Sequence, residues 1–315
     1  MTRHVVFGTG QVGRPLVQRL VADGHDVVAV NRAGRGDLAG ARIVAGDASD
    51  ADSTTRICAG AHVVYFCLNA SNYARWDREF PPLQRGVLTG AARAEARLVV
   101  LDNLYSYGPP RGRALVETMA AQPTSTKSRT RAAMTAELQR AHAAGQVEVA
   151  IGRASDFFGP GAVSSALGAT VFATALTGAR AQVMGDPDQP HSYSYVPDVA
   201  AALVALGTAP TAPGEIWHLP VAPARTTRHI IGQVYRAAGH RPRLLAAGRT
   251  TLRALGVVQP PLREYLHTLY QFTDPWVVDD SKFRTALDVV ATPLDDALDA
   301  TLAWYREEAP TSATA

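Results

Sequence analysis

Short, unbroken apolar runs recur through the first half of the chain, separated by segments with helical spacing. Runs at 4–7, 27–30, 43–44, 63–68, 98–101 and 147–151 read as six strands. Continuous rather than alternating apolar character suits strands covered on both faces. Between them, 13–22 places Leu16, Val17 and Leu20 on one helical face, and further helices are expected at about 53–60, 80–96 and 127–144. Repeated strand–helix–strand units predict an α/β fold: a Rossmann, doubly wound parallel sheet with helices on both sides.

After residue 155 the rhythm breaks. Gly159-Pro160-Gly161 and the loop 185–190 are turn clusters, 164–177 is a small-residue helix, 199–206 a helix returning to the core, and 216–219 a seventh strand. The expected organisation is a dinucleotide-binding core over 1–155, joined by 196–222. A smaller, mostly helical substrate lobe is built from 156–195 and 223–309, with a frayed tail at 310–315.

The 315 residues are 47% hydrophobic and 19% charged, within the range of a globular chain. No apolar stretch approaches membrane-spanning length, and the N-terminus does not read as a secretory signal. Cys58 and Cys67 are too few for a disulfide framework and read as buried thiols in a reducing, cytoplasmic setting. A formal net charge of +3 from scattered arginines argues against nucleic acid as a partner. A small-molecule substrate, no membrane, and a monomer or homodimer are expected. Neither a HExxH motif nor a Cys/His cluster occurs, so no metal is expected.

The first chemistry-bearing feature is Gly8-Thr9-Gly10-Gln11-Val12-Gly13, between a strand and a helix. Gly8 permits the tight turn, Gly10 lets backbone approach a pyrophosphate, and Gly13 lets helix pack on strand. The end of the second strand carries Asn31-Arg32, with Arg35 nearby, where an NAD site usually has a carboxylate for the ribose. A guanidinium pairs with a 2′-phosphate, so NADP(H) is preferred and NAD(H) is the alternative.

These residues resemble the extended or atypical short-chain dehydrogenase/reductases, the NAD-dependent epimerase/dehydratase family. Further resemblances are Asp47-Ala48 after the third strand, Leu68-Asn69-Ala70 after the fourth, Tyr107-Gly108 after the fifth, Arg153 through Pro160 after the sixth, and His191 through Ala200. The resemblance implies adenine contact at Asp47 and ribose contact near Leu68, Asn69 and Ala70. It also implies cofactor contacts at Asp102, Ala154 and Ser155.

The departures fall on the catalytic residues. The family's Tyr-x-x-x-Lys is replaced by Lys127 and Arg131, and its Ser or Thr by Asn103. Lys127 is the first acid/base candidate, with Arg131 one turn away on the same helical face to draw its amine toward neutrality. It also reads as a ribose or phosphate contact. Asn103 offers an oxyanion a hydrogen bond. Tyr105 and Tyr107 are the alternative proton donors. Tyr73, Trp76, Tyr107, Asp156, Phe157, Met184, His191 and Tyr193 are the expected substrate contacts. The family's nucleotide-sugar enzymes commonly carry Arg at the position of His191, so a substrate without a nucleotide is favoured.

The leading expectation is an NADPH-dependent oxidoreductase, of reductase type, on a small carbonyl- or imine-containing metabolite. A cofactor-assisted isomerase, epimerase or lyase is one alternative. A non-catalytic NADP-binding redox sensor, like the NmrA-type relatives, is the other.

Overall fold

The computed structural model describes residues 1–72, 75–258 and 260–307. Tyr73 and the expected tail at 310–315 lie outside these residues. The chain opens with β1 (Arg3–Phe7), α1 (Gly13–Ala22), β2 (Asp26–Asn31), β3 (Arg42–Ala45), α2 (Ala51–Cys58) and β4 (Val63–Phe66). There follow α3 (Trp76–Arg93), β5 (Arg97–Asn103), α4 (Thr126–Ala143), β6 (Val149–Ala154), β7 (Asp156–Phe158), α5 (Phe172–Thr177), β8 (Ala181–Met184) and β9 (Pro190–His191). Then come β10 (Tyr193–Tyr195), α6 (Val196–Thr208), β11 (Ile216–His218), β12 (Arg225–Thr226), α7 (Thr227–Ala237), β13 (Leu244–Ala247) and α8 (Arg249–Val258). The remainder is α9 (Tyr270–Thr273), α10 (Ser281–Leu287) and α11 (Leu294–Glu307).

Seven strands form one sheet in the order β3-β2-β1-β4-β5-β6-β11, every neighbouring pair parallel. This is a Rossmann-type doubly wound sheet. The pleat divides each strand's apolar residues between two cores. Val6, Ala29, Tyr65 and Val99 face α1 and α6, while Val5, Phe7, Val28, Val64, Phe66 and Val100 face α3 and α4. The chain reverses direction of travel between β1 and β4, and ligands of such sheets bind outside the strand carboxyl ends at that switch.

A separate apolar cluster joins Phe158, Phe172, Ala181, Tyr193, Ile230, Tyr235, Leu298 and Tyr305. Small two-stranded pairings, β10 with β7, β9 with β12 and β8 with β13, tie the segments after β6 to the C-terminal third. The helix expected over 164–177 forms only at α5. Before it, Ser165 and Gly168 close successive turns onto Ala162 and Ser165, and a side chain at Gly168 would strike the Val163 carbonyl. Among the described residues no helix is long and apolar enough to cross a membrane.

Candidate active site

The glycine turn is closed on two sides and open on the third. Gly8 sits at φ +104°, and its N–H donates to the Val30 carbonyl at 2.9 Å. A Cβ on Gly8 would lie 2.6 Å from the Cys67 carbonyl oxygen, and one on Gly13 would lie 1.8 Å from the Gly8 carbonyl oxygen. A Cβ on Gly10 would meet nothing within 4 Å. α1 has no side-chain cap; Arg14 N–H donates to the Gly10 carbonyl at 3.0 Å, and the Gly13 N–H has no backbone partner inside the helix. Gln11 Oε1 is buried there without a hydrogen-bond partner among the described residues. The Val12 side chain packs into the core, so only its backbone borders the turn.

Asn31 builds the neighbouring loop. Its Oδ1 accepts from the N–H groups of Ala33 and Gly34, and its Nδ2 donates to Thr9 Oγ1 at 3.1 Å and to the Arg35 carbonyl. Arg32 and Arg35 are exposed on that loop, beside the turn. Asp47 accepts from the Ser49 hydroxyl and N–H, which with the charge of Arg32 holds its carboxyl below the usual range. Ala48 is buried against α3, whereas Asn69 is exposed between the partly buried Leu68 and Ala70.

At the end of β5 the structure departs from expectation. Arg131 pairs with Asp102 Oδ1. Asp102 Oδ2 accepts from Arg153 Nε at 3.0 Å and from Thr135 Oγ1 at 3.3 Å. Burial alone would raise the Asp102 carboxyl, but the two guanidinium groups prevail and hold it below its ordinary value. Asp102 is therefore a buried anchor for two arginines and not the expected cofactor contact. Arg131 is ion-paired to it and lies over the Phe80 ring, 4.7 Å from the centroid, so its guanidinium is committed to β5 and α3.

Lys127 is buried in the first turn of α4, which begins at a capping box between Ser125 and Ser128. A cation there opposes the helix dipole. A carboxylate from the far end of the chain offsets this: Glu264, in the 3-10 turn Pro260–His267, takes the ammonium group as a salt-bridge partner. Asn103 is partly exposed, and its side-chain oxygen is held by the Tyr105 N–H at 3.1 Å. Tyr105 is partly buried against Trp76, with 5.8 Å between ring centroids.

Three aromatic residues expected at the substrate are packing groups. Trp76 is 4% exposed and packs at tilted angles on Phe80 and Tyr105. Tyr107 is 1% exposed, lies under Arg153, and shares a 2.8 Å hydrogen bond with His218 Nε2. Burial pushes its phenol up, and its hydroxyl is enclosed with His218 rather than open to a substrate. Tyr193 is buried with its hydroxyl on Thr227 Oγ1 at 2.8 Å, and burial likewise raises it. Ala154 is buried, and Ser155 is occupied by Ser194 Oγ at its N–H and by Trp276 Nε1 at its hydroxyl.

The strand-six loop and the following lobe do meet. His191, 3% exposed, reaches Asp156 Oδ2 at 2.9 Å and the Gln271 carbonyl at 3.1 Å. Phe157 and Met184 are partly exposed nearby in the chain, on β7 and β8.

The sequence profile of the NAD dependent epimerase/dehydratase family matches residues 5–219. The chain belongs to this family. Among solved structures, this epimerase/dehydratase chain is similar to a dTDP-glucose 4,6-dehydratase from Streptomyces venezuelae with NAD and TYD bound, at 20% identity, 98% of each chain and a TM-score of 0.79. It is also similar to UDP-glucose 4-epimerase from Thermotoga maritima, at 15% identity, 98% of this chain, 100% of that one and a TM-score of 0.81. The dTDP-glucose 4,6-dehydratase from Bacillus anthracis, in complex with NAD, gives 14% identity, 98% and 97% coverage and 0.81. At these identities the likeness shows the fold. No curated protein matches the chain in sequence.

Within this family member, Glu264, Arg153, His218 and Thr135 complete the site's electrostatics without having been singled out as site residues. Arg153 carried a signal, as part of a recurrent segment after β6. Glu264 carried none, since its meaning comes only from Lys127, 137 residues earlier.

Proposed function

We propose that the chain binds a nicotinamide dinucleotide over its glycine turn, NADP(H) in preference to NAD(H), and acts as an oxidoreductase. Its substrate is a small carbonyl- or imine-containing metabolite without a nucleotide. The observation that carries the reading is the opening at Gly10, where backbone approach is free while Gly8 and Gly13 are packed shut. The uncapped α1 terminus and the unpartnered Gln11 oxygen fit a bound dinucleotide. When bound, such a cofactor supplies or removes hydride. Arg32 and Arg35 stand ready for a 2′-phosphate.

The chain's own part is positioning and proton control. Lys127, buried beside Glu264, is the cation at the position of the family's tyrosine, and it stabilises a developing oxyanion or donates a proton to it. His191 is turned onto Asp156 and Gln271 and does not present a free cation to a diphosphate.

The test mixes protein and NADPH with ketones, enones and imines and follows reduced nicotinamide. Consumption that disappears in Lys127→Met while NADPH still binds supports the proposal. Consumption surviving that change refutes Lys127's role. Tight binding without consumption across the panel supports a sensor instead. Product formed at constant NADPH supports an epimerase, isomerase or lyase, which the epimerases and dehydratases among similar structures make the second reading.

A further inference from the structure

A second titratable pair stands just beyond the carboxyl end of β6, where ligands of such sheets lie. Asp156 opens β7, directly after the β6 turn, and His191 closes β9. The His191 ring is fixed between Phe272, nearly parallel at 5.1 Å, and Tyr193 at 4.3 Å.

Hydrogen-bond partners count the protons. Nδ1 lies 3.1 Å from the Gln271 carbonyl oxygen, which can only accept, so Nδ1 carries a hydrogen. Nε2 lies 2.9 Å from Asp156 Oδ2. A bare ring nitrogen and a bare carboxylate oxygen repel at that distance, so a further proton lies between them.

His218 provides the contrast within the same molecule. Its Nδ1 also faces a carbonyl, that of Asp279 at 3.0 Å, but its Nε2 faces the Tyr107 hydroxyl. That hydroxyl can donate, and one ring hydrogen suffices. Burial accordingly pushes His218 down to about 4.

Arg225 on β12 stands opposite His191 in the β9 pairing, exposed and without a hydrogen bond to the pair, and the rings and carbonyl packed on the pair are uncharged. Tyr193 has a phenol raised by burial, Phe272 is apolar, and Gln271 contributes its carbonyl. Among the described residues Asp156 Oδ1 makes no hydrogen bond, and the Asp156 side chain is 21% exposed.

We propose that Asp156 and His191 form a proton-holding pair that serves the substrate's oxygen or nitrogen, with Asp156 touching the substrate and His191 as its positioning residue. The proposal rests on the oxidoreductase reading of this cleft. In the reducing direction, the pair's proton forms the new O–H or N–H bond and the bridge between Nε2 and Oδ2 loses it. The electron pair derives from a reduced nicotinamide dinucleotide. Water at the exposed carboxylate edge restores the proton. The matching substrate class is a carbonyl or imine, whose oxygen or nitrogen accepts the pair's proton at the exposed edge of Asp156.

The test is NMR of ¹⁵N-histidine and ¹³C-aspartate in the full chain, with and without NADPH. At neutral pH the wild-type pair is expected to hold one proton more than a neutral ring plus a carboxylate, and Asp156→Asn to leave a neutral ring. A wild-type neutral ring beside an ionised Asp156 overturns the proposal, and needs no variant to fold. In turnover, Asp156→Asn is expected to lower the rate roughly 10²-fold or more and to remove one limb of the pH profile, with NADPH affinity unchanged. An unaltered pH profile overturns the catalytic use. Failure of wild-type protein to bind NADPH sinks the oxidoreductase reading and this catalytic use with it, while the NMR proton count still judges the pair.

Discussion

Arg131 on α4 is bonded to Asp102 on β5, at a depth where both side chains are at most 4% exposed. The pair occupies the position where the family's tyrosine–lysine helix meets the fifth strand, and Arg153 joins it from β6. One carboxylate thus serves two guanidinium groups. Removing it leaves two buried cations uncompensated, which costs about 3–5 kcal/mol. Asp102→Asn is expected to lower the stability measured by urea unfolding by that amount. Arg131→Met leaves Asp102 its bond to Arg153 and is expected to cost clearly less. Equal losses in the two variants contradict this account.

The glycine turn separates stability from binding. Gly10→Ala adds a methyl group where the protein has no atom within 4 Å, so its unfolding midpoint is expected to match wild type. The same methyl fills the approach proposed for the pyrophosphate, and NADPH affinity is expected to fall at least tenfold, roughly 1.4 kcal/mol. Gly13→Ala forces its Cβ onto the Gly8 carbonyl and is expected to lose about 1–3 kcal/mol of stability or more. Calorimetric titration and thermal unfolding of both variants check this. Unchanged NADPH binding in a folded Gly10→Ala protein refutes the assigned site.

The cofactor preference turns on Arg32 and Arg35. Both are exposed, and Asn31 holds the loop that carries them. A charge-assisted hydrogen bond contributes about 1.5–3 kcal/mol, so replacing both with Ala is expected to weaken NADPH binding roughly tenfold to a hundredfold. NADH binding is expected to stay within about twofold. Equal weakening of both cofactors contradicts recognition of the 2′-phosphate.

Much of the sheet was legible because its strands are covered on both faces, so runs such as Val63–Phe66 read as strand without any alternation. The glycine turn was legible because its roles are local. Pairings were not. Glu264 meets Lys127, and Gln271 meets His191, across 137 and 80 residues, and no spacing rule links such positions. The packing roles of Trp76, Tyr107 and Tyr193 are hidden in the sequence for a related reason. An aromatic residue beside a loop looks like a pocket wall until the partners that bury it, Phe80, Arg153 and Thr227, are in place. The 164–177 segment has helical composition, but its tight turns at Ser165 and Gly168 are a tertiary outcome.

Two buried histidines make the fold acid-sensitive. Burial lowers both His4 and His218 from 6.5 to about 4, with His25 and His62 adding to the effect at His4. His4 is 1% exposed and contacts the Thr2 and Tyr65 hydroxyls, while His218 is fully buried between Tyr107 and Asp279. Both are neutral in the folded protein. The unfolded chain takes up their protons first as pH falls below about 6.5, so folding stability is complete above that value and declines toward pH 4. Each histidine contributes a slope approaching 1.4 kcal/mol per pH unit within that window, or about 3 kcal/mol across it. Carboxylates titrate in the same range, so the informative quantity is the difference between wild type and variant. His218→Gln keeps a donor for the Asp279 carbonyl and an acceptor for Tyr107 but has no proton to gain. Its unfolding free energy is expected to depend on pH less steeply than that of wild type between pH 6.5 and 4.5, by close to one proton. Parallel curves for the two proteins would show that His218 is already protonated when folded.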